Sequence, residues 1–543
     1  MDSKREPTSG EIRMVIAASA AGTAFEWYDF YIYGTLAPLF GKLFFPGSSP
    51  AAGFLLALAT FGVGFAVRPL GAAIFGTFGD RFGRKTTFLV TITLMGLATT
   101  AIGLLGTYAQ WGIAAPVLLV LLRAAQGLAV GGEYGGAVIY VAEHAPREKR
   151  GFYTGFIQIG ATTGFSLSLL VVLTTNTLLG DAAWNAWGWR VPFILSLVLL
   201  AVSLWMRLKL SESPVFVAMQ EAGEVAKSPL REAFATAKQR RRLLAVIFGG
   251  AVGQAIAGYT GMIQMLNFLQ VSVHMDPVLT RILLIGVLLS LALGNVAAGW
   301  LSDRWGRKPV VFAGYIMFLI VLFPMFQVIA DQANPALARA AQERPVVVTG
   351  PDCSYNPFAQ NGQASACGKL LDALTRIGVP YSKRDAAAST PPVVTIAGQP
   401  TDSAALAPAL KAAGYTLDPV TPPARNLVII VIAMLVIAIP GVLAYGPMGS
   451  WLCELFPART RYSSLATSYN FGVGIFVGFM PFIVQAIVAT TGNVMAGFWY
   501  PFVMMIIAVV VAWFGLPETA GRRLEEGNAE RALNDASPSS PAA

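Results

Sequence analysis

Five ionisable residues sit inside long apolar stretches of this 543-residue chain: Glu26, Asp29, Arg68, Arg123 and Glu133. Glu26 and Asp29 are three positions apart, so a helix would carry them on one face. A charge at bilayer depth costs at least about 2.5–3.5 kcal/mol, so such residues normally pair or line a wet cavity. Burial drives a carboxyl toward its protonated form, and a nearby arginine drives it back toward ionisation. Carboxylates and guanidinium groups held together can therefore couple a proton to a cargo. The same residues could instead be static ion pairs that hold helices together, and both readings stand at this point. Chemistry of the bond-making kind is not expected. The phosphate-binding pattern Gly-x-x-x-x-Gly-Lys-Ser/Thr is absent, which disfavours an ATP-driven pump. The two histidines, His144 and His274, have no partners in view, so no enzyme, metal site or cofactor is expected.

These residues have to be positioned by something, and the composition says what. Apolar residues make up 55% and charged residues 12% of the chain, about half the roughly 25% charge of a soluble domain. A soluble protein of this length lacks the charged coat it would need, and a disordered one would be far less hydrophobic. Read at about 20 residues per membrane crossing, the chain offers twelve apolar runs: 14–38, 53–78, 86–106, 113–142, 152–175, 190–209, 243–268, 278–301, 309–330, 426–450, 463–490 and 494–516. Arg68 then lies twelve residues from Asp80 at the end of its run, about 18 Å along a helix and hence mid-membrane. The second half of the chain has no comparable internal charge. Polar groups such as Gln254, Tyr259 and Asn470 are left to meet a substrate there, with Tyr28, Arg123, Gln126 and Gln158 as candidates in the first half. Each could equally be an ordinary interhelical hydrogen bond.

The net charge of +9 does not signal a nucleic-acid partner, because the basic residues sit in short clusters between apolar runs. The loops on the side of the termini hold 25 Lys and Arg, and the short loops opposite hold Lys42, Arg190 and Arg281. The positive-inside rule places both termini in the cytoplasm.

Two motifs recur. Gly79-Asp80-Arg81-Phe82-Gly83-Arg84-Lys85 follows the second run, and Ser302-Asp303-Arg304-Trp305-Gly306-Arg307-Lys308 follows the eighth. Glu143-x-x-Pro146-x-x-x-Arg150 follows the fourth run, and Glu454-x-x-Pro457-x-x-x-Arg461 follows the tenth. Matching motifs six runs apart describe two parallel six-helix halves. The second pair is 311 residues apart and the first 223, so 88 extra residues lie between them, in the long polar segment after the ninth run.

With these motifs in order, the chain resembles the major facilitator superfamily, and within it the metabolite:proton symporter branch of shikimate, α-ketoglutarate, citrate and proline/betaine carriers. The strings that carry the resemblance are Glu26-Trp27-Tyr28-Asp29-Phe30, Arg68-Pro69-Leu70-Gly71, Arg123-Ala124-Ala125-Gln126-Gly127 running to Gly131–Gly136, Trp187–Phe193 and Glu454–Pro457 with Arg461-Tyr462-Ser463. The resemblance implies that the repeated loops lock and release a cytoplasmic gate. Its residues would be Asp80, Arg84, Glu143, Arg150, Asp303, Arg307, Glu454 and Arg461. It also implies alternating access around a central site, while proton coupling through Glu26, Asp29, Arg68, Arg123 and Glu133 is expected from their charge at membrane depth.

The polar insert falls outside that resemblance. Pro345–Thr349 and Val393–Ile396 read as strands. Ala366–Ile377 and Ser403–Ala413 read as helices ending at Gly378 and Gly414, a common C-cap signal. With an extended piece after each helix, the order is β-α-β twice, which suggests a small ferredoxin-like domain. Cys353 and Cys367 fall on the outer, oxidising side of a bacterial membrane, where a disulfide is the simplest reading.

The expected protein is thus an all-α membrane protein with a small external α+β insert. Its parts are a six-helix half (1–209), a cytoplasmic linker (210–242), a second half (243–330 and 426–516), the insert (331–425) and a cytoplasmic tail (517–543). The expected function is proton-coupled symport of a small organic acid or zwitterionic metabolite across a bacterial inner membrane, by a monomer. A transporter-like sensor that uses the insert, and a proton-coupled exporter, are the rivals.

Overall fold

A computed structural model describes residues 9–46, 50–82, 84–132, 134–208, 232, 234–356, 359, 363–387, 389–401, 405–522 and 524. Glu133 lies outside the described residues, as do most of the 210–242 linker and the side chains of Asp80 and Arg84.

The first half is built from α1 (Ser9–Thr35), α2 (Pro50–Ala66 continued by Arg68–Phe82), α3 (Arg84–Leu104), α4 (Ala114–Gly131 continued by Tyr134–His144), α5 (Arg150–Ala186) and α6 (Val191–Leu208). Apolar side chains run around these helices rather than along one stripe, as lipid on one side and protein on the other require. Pro69 supplies no N–H, and α2 is interrupted at Val67, one residue before Arg68. The second half begins with α7 (Ala237–Ser272), α8 (Pro277–Trp305) and α9 (Arg307–Ala333). Asp276 accepts the Leu279 N–H at 2.8 Å to start α8, with Pro277 at the first helical position where its missing N–H costs nothing.

The insert follows as α10 (Pro335–Glu343), β1 (Val346–Gly350), α11 (Ala366–Arg376), β2 (Tyr381–Asp385), β3 (Val393–Ile396), β4 (Gln399–Thr401) and α12 (Leu406–Ala412). The second half closes with α13 (Ala424–Leu455), α14 (Ala458–Phe471, Gly472–Val477 and Met480–Thr491) and α15 (Trp499–Gly515).

Eleven of the described helical segments are long and apolar enough to cross a membrane. The remaining one of the twelve expected, α1, is a continuous helix whose apolar run is broken by Glu26 and Asp29, yet its Phe30, Tyr31 and Tyr33 are part of the main core. The halves meet along α5 and α8, where a Cβ on Gly299 would lie 2.2 Å from the Gly151 carbonyl. Only glycine allows backbones that close.

The insert differs from expectation in topology. Its four strands run in the order β2-β1-β3-β4. β1 and β2 are parallel, with Val346 opposite Tyr381, and β1 and β3 are antiparallel, with Val346 opposite Ile396. The fourth strand is the second arm of a β3–β4 hairpin and precedes α12, so the ferredoxin-like order fails. The cause is local: Ala397 and Gly398 both adopt positive φ, 52° and 79°, the geometry of a tight two-residue hairpin turn. Cys353 and Cys367 are bonded, with Cα atoms 4.9 Å apart, tying the loop after β1 to the first turn of α11.

Candidate functional site

Arg68 is fully buried at the centre of the bundle. Its guanidinium carbon lies 4.1 Å from the ring centre of Phe65, 4.6 Å from Phe30 and 5.1 Å from Trp27. Aromatic faces attract such a cation by their quadrupole, but they fill none of its five N–H donors. None of the three guanidinium nitrogens has a hydrogen-bond partner. Tyr259 reaches the same place from the second half, with its ring 5.5 Å from Phe65, 6.5 Å from Trp27 and 5.9 Å from Tyr31. The hydroxyls of Tyr31 and Tyr259 are buried facing each other, and both amide atoms of Gln254 are buried without partners. The result is an aromatic-walled site at the join of the halves, with one strong donor and several neutral polar groups. An anionic acceptor, a carboxylate above all, matches its geometry and charge.

Two helices with local irregularities frame the site. α7 takes π turns at Val246–Val252, Thr260–Gln264 and Phe268–Ser272, and α14 at Gly472–Val477. Such turns occur frequently at functional sites. Tyr259 and Gln254 lie on the α-helical stretch between the first two of them.

Arg123 is placed differently. It donates to Gln126 Oε1 at 2.6 Å and to the Phe30 and Phe61 carbonyls at 3.4 Å, and Gln126 Nε2 donates to Thr99 at 2.7 Å. Its guanidinium also lies 4.3 Å from the Phe30 ring centre, so Phe30 contacts both buried arginines. Gln126 therefore holds Arg123 rather than facing the central site.

Both buried arginines lie against aromatic rings, Arg68 on Phe65, Phe30 and Trp27 and Arg123 on Phe30, Tyr33 and Phe61. Residues i and i+1 of a helix point about 100° apart. Trp27, Phe30 and Tyr31 turn toward the centre of the bundle, and Glu26 and Asp29 on the same helix are both buried. Tyr28 spends its hydroxyl on the Pro192 carbonyl at 2.7 Å, inside the first half.

Asn470 and Gln158 lie further along the seam. Asn470 Nδ2 donates to the Gly131 carbonyl at 3.0 Å, across the halves, and Gln158 sits on α5 beside Gly449 of α13.

At the end of the bundle that carries the repeated motifs, six of the eight expected gate residues meet. Arg150 pairs with Glu454 at 2.8 Å, and Arg461 pairs with Glu143 at 3.0 Å. Each repeat thus lends its arginine to the other's glutamate. Arg307 joins them, 3.1 Å from Glu454 and 2.6 Å from Asp303. Asp303 accepts the Gly151 and Phe152 N–H groups at 2.8 Å each, at the start of α5, where a helix N-terminus favours an anion.

A segment that sequence reasoning missed completes this end. Thr519 donates to Glu454 at 2.7 Å, and the Arg522 and Leu524 carbonyls accept from Arg150 and Arg461 at 3.2 and 2.9 Å. Glu518 accepts the Arg307, Lys308, Thr519 and Ala520 N–H groups. Partial burial works against its charge, but these four donors outweigh it and hold the carboxyl below its ordinary value. A glutamate just past the last apolar run was the available signal.

Residues 14–245 and 409–530 match a family model described as sugar (and other) transporter. The chain is 37% identical over 326 residues to the glycine betaine/proline/ectoine/pipecolic acid transporter OusA of Dickeya dadantii, covering 59% of this chain and 65% of that protein. It is 36% identical over 323 residues to the proline/betaine transporter of Escherichia coli K12, covering 58% and 65%. It is 39% identical over 324 residues to the shikimate transporter of the same organism, covering 59% and 73%. The chain therefore spans a little under two thirds of the length of the two betaine-type relatives. Among solved structures it is similar to the proton:xylose symporter XylE bound to 6-bromo-6-deoxy-D-glucose, with TM-score 0.60 and 18% identity over 96% of this chain and 100% of that one. At that identity the likeness is one of fold.

Proposed function

The chain belongs to the sugar (and other) transporter family of the major facilitator superfamily, and on that premise we propose that it is a proton-coupled symporter of a small organic acid or zwitterion, working by alternating access. It is a multi-pass membrane transporter rather than an enzyme. In this reading it sits in a bacterial inner membrane with the motif end in the cytoplasm and the insert outside.

The observation that carries the substrate class is Arg68: a buried guanidinium whose nitrogens are all unfilled, at the join of the two halves. A substrate carboxylate would accept its parallel N–H groups in the bidentate manner. The rings of Trp27, Phe30, Phe65 and Tyr259 would exclude water and, for a zwitterion, receive the cationic end. Because the site draws on both halves, binding draws them together, and the reciprocal Arg–Glu pairs hold the cytoplasmic end shut while the outside opens. Asp29, buried one residue before Phe30, is the proposed proton carrier, with Glu26 beside it. Relatives that carry betaine, proline or shikimate support a carboxylate-bearing cargo.

Uptake of radiolabelled carboxylates and betaines into vesicles with an imposed pH gradient tests this reading. Transport of at least one such compound is expected, lost in Arg68→Lys at equal protein level. Transport of neutral sugars alone, unaffected by Arg68→Lys, would contradict it.

A further inference from the structure

The insert does not stand apart from the bundle. The apolar cluster that holds Val346, Val348, Leu371 and Ile396 of the insert also takes in Leu55 of α2 and Ala489 of α14, with Phe482 and Ala486 of α14 packed against it. Leu55 and Ala489 are each 2% exposed. These two residues come from opposite halves, since α2 belongs to the first and α14 to the second.

The attachments are unequal. Toward the second half the insert is pinned by hydrogen bonds. The Tyr381 N–H donates to the Gly492 carbonyl at 3.0 Å and its hydroxyl to the Ala489 carbonyl at 2.5 Å. Asn334 Nδ2 donates to the Val273 and Thr416 carbonyls at 3.2 and 3.1 Å, and the Val420 N–H to the His274 carbonyl at 2.8 Å. Toward the first half, the described residues of the insert present apolar surface, in which Leu55 is seated. The insert is therefore built to travel with the second half and to hold the first by a contact that can slip.

That contact lies on the line that has to open. Below Leu55, α2 and α14 stay in close touch: a Cβ on Gly62 would lie 2.4 Å from the Phe479 ring, and one on Gly478 would lie 2.1 Å from Phe65. Phe65 is a wall of the Arg68 site. Water or substrate reaching Arg68 along this seam from the insert end must part α2 from α14, and parting them draws Leu55 out of the insert.

We propose that the insert is an external latch, carried by the second half, that clasps α2 through Leu55 whenever the outside is closed. This rests on the alternating-access reading above. The latch biases the resting transporter toward the closed-outside state and releases each time the site opens outward.

The test needs no known substrate. Ala59 lies one turn from both Leu55 and Gly62 on the same face of α2. In a Cys453→Ser background, Ala59→Cys is exposed to a membrane-impermeant maleimide added outside to whole cells. Adding Leu55→Ser is expected to speed labelling about tenfold, the scale of losing one buried leucine contact. The conservative Leu55→Met is expected to leave the rate near that of the parent. Replacing residues 340–420 by a short Gly/Ser bridge is expected to match Leu55→Ser, and adding Leu55→Ser to that deletion to change nothing more. Unchanged labelling in Leu55→Ser, at equal protein level, would overturn the latch. A control separates this from failure of alternating access: Arg150→Ala, which weakens the opposite gate, is expected to slow outside labelling. If that control shifts the rate while Leu55→Ser does not, the latch alone is wrong. If the control leaves the rate unchanged, the alternating-access premise falls and the latch with it.

Discussion

Arg150 and Glu454 form an ion pair at 2.8 Å across the two halves, and the pair Arg461–Glu143 at 3.0 Å mirrors it. Both come from one repeated motif, so a twofold exchange of arginines ties the halves at one end. Glu454 also binds Arg307 and Thr519, so three side chains converge on its carboxylate.

Removing one partner of a buried pair leaves an uncompensated charge and costs about 3–5 kcal/mol. Arg150→Ala is therefore expected to open the cytoplasmic end, raising the labelling of a seam cysteine from inside in inverted vesicles. Glu454→Gln is expected to raise it more than Glu143→Gln does. Equal effects of the two glutamate changes would remove the special role of Glu454.

Glu518 gives a pH signature. Partial burial raises its carboxyl, but the Ala520, Arg307, Lys308 and Thr519 N–H groups lower it further. A carboxyl depressed in the folded state stabilises at pH values above the ordinary glutamate value of about 4.3, and that stabilisation is lost as the pH falls through the lower folded value. Melting of purified protein is expected to show Glu518→Gln less stable than the parent at pH 7, with the gap closing on acidification below about pH 4. A gap independent of pH would mean that the carboxylate charge is irrelevant.

Much of this was legible in the chain itself, and for definite reasons. Apolar runs have to match the bilayer, and motifs duplicated six runs apart mark the two halves, so the helix order and the residues that pair at the motif end could be read. The partners of Arg68 could not. A shift of one position along α1 separates Asp29 from Phe30 by about 100°, and only tertiary packing shows that the rings of Trp27, Phe30 and Phe65 surround the guanidinium. The β3–β4 hairpin was hidden because β4 has three residues, one of them Pro400, too short and too atypical for a strand signal. The strap at Glu518–Arg522 escaped because a lone glutamate and threonine past the last apolar run belong to no repeated pattern, and its other acceptors are backbone carbonyls.

Cysteine pairing offers a third check. The Cys353–Cys367 bridge spans a sequence separation of 14, worth roughly 3 kcal/mol in the chain-entropy model. Cys353→Ala with Cys367→Ala is expected to speed proteolysis of the insert while uptake continues. Loss of all uptake in well-inserted protein would show that the insert is part of the transport path.

Arg68 and Arg123 are expected to fail in different ways. Arg123 holds two backbone carbonyls and Gln126, so Arg123→Gln should lower the amount of folded protein. Arg68→Lys should leave the amount near normal and abolish transport, because an ammonium cannot reproduce the paired donors. Quantified membrane protein beside uptake rates separates the two.

Coupling is the core of the account, and proteoliposomes test it most directly. With a pH dye outside, adding a transported carboxylate to resting vesicles is expected to alkalinise the medium as protons enter with it. Asp29→Asn is expected to abolish that signal while counterflow of the same compound continues. Uptake of the compound without any proton movement in the parent, or an unchanged ratio of proton entry to counterflow in Asp29→Asn, would contradict the assignment.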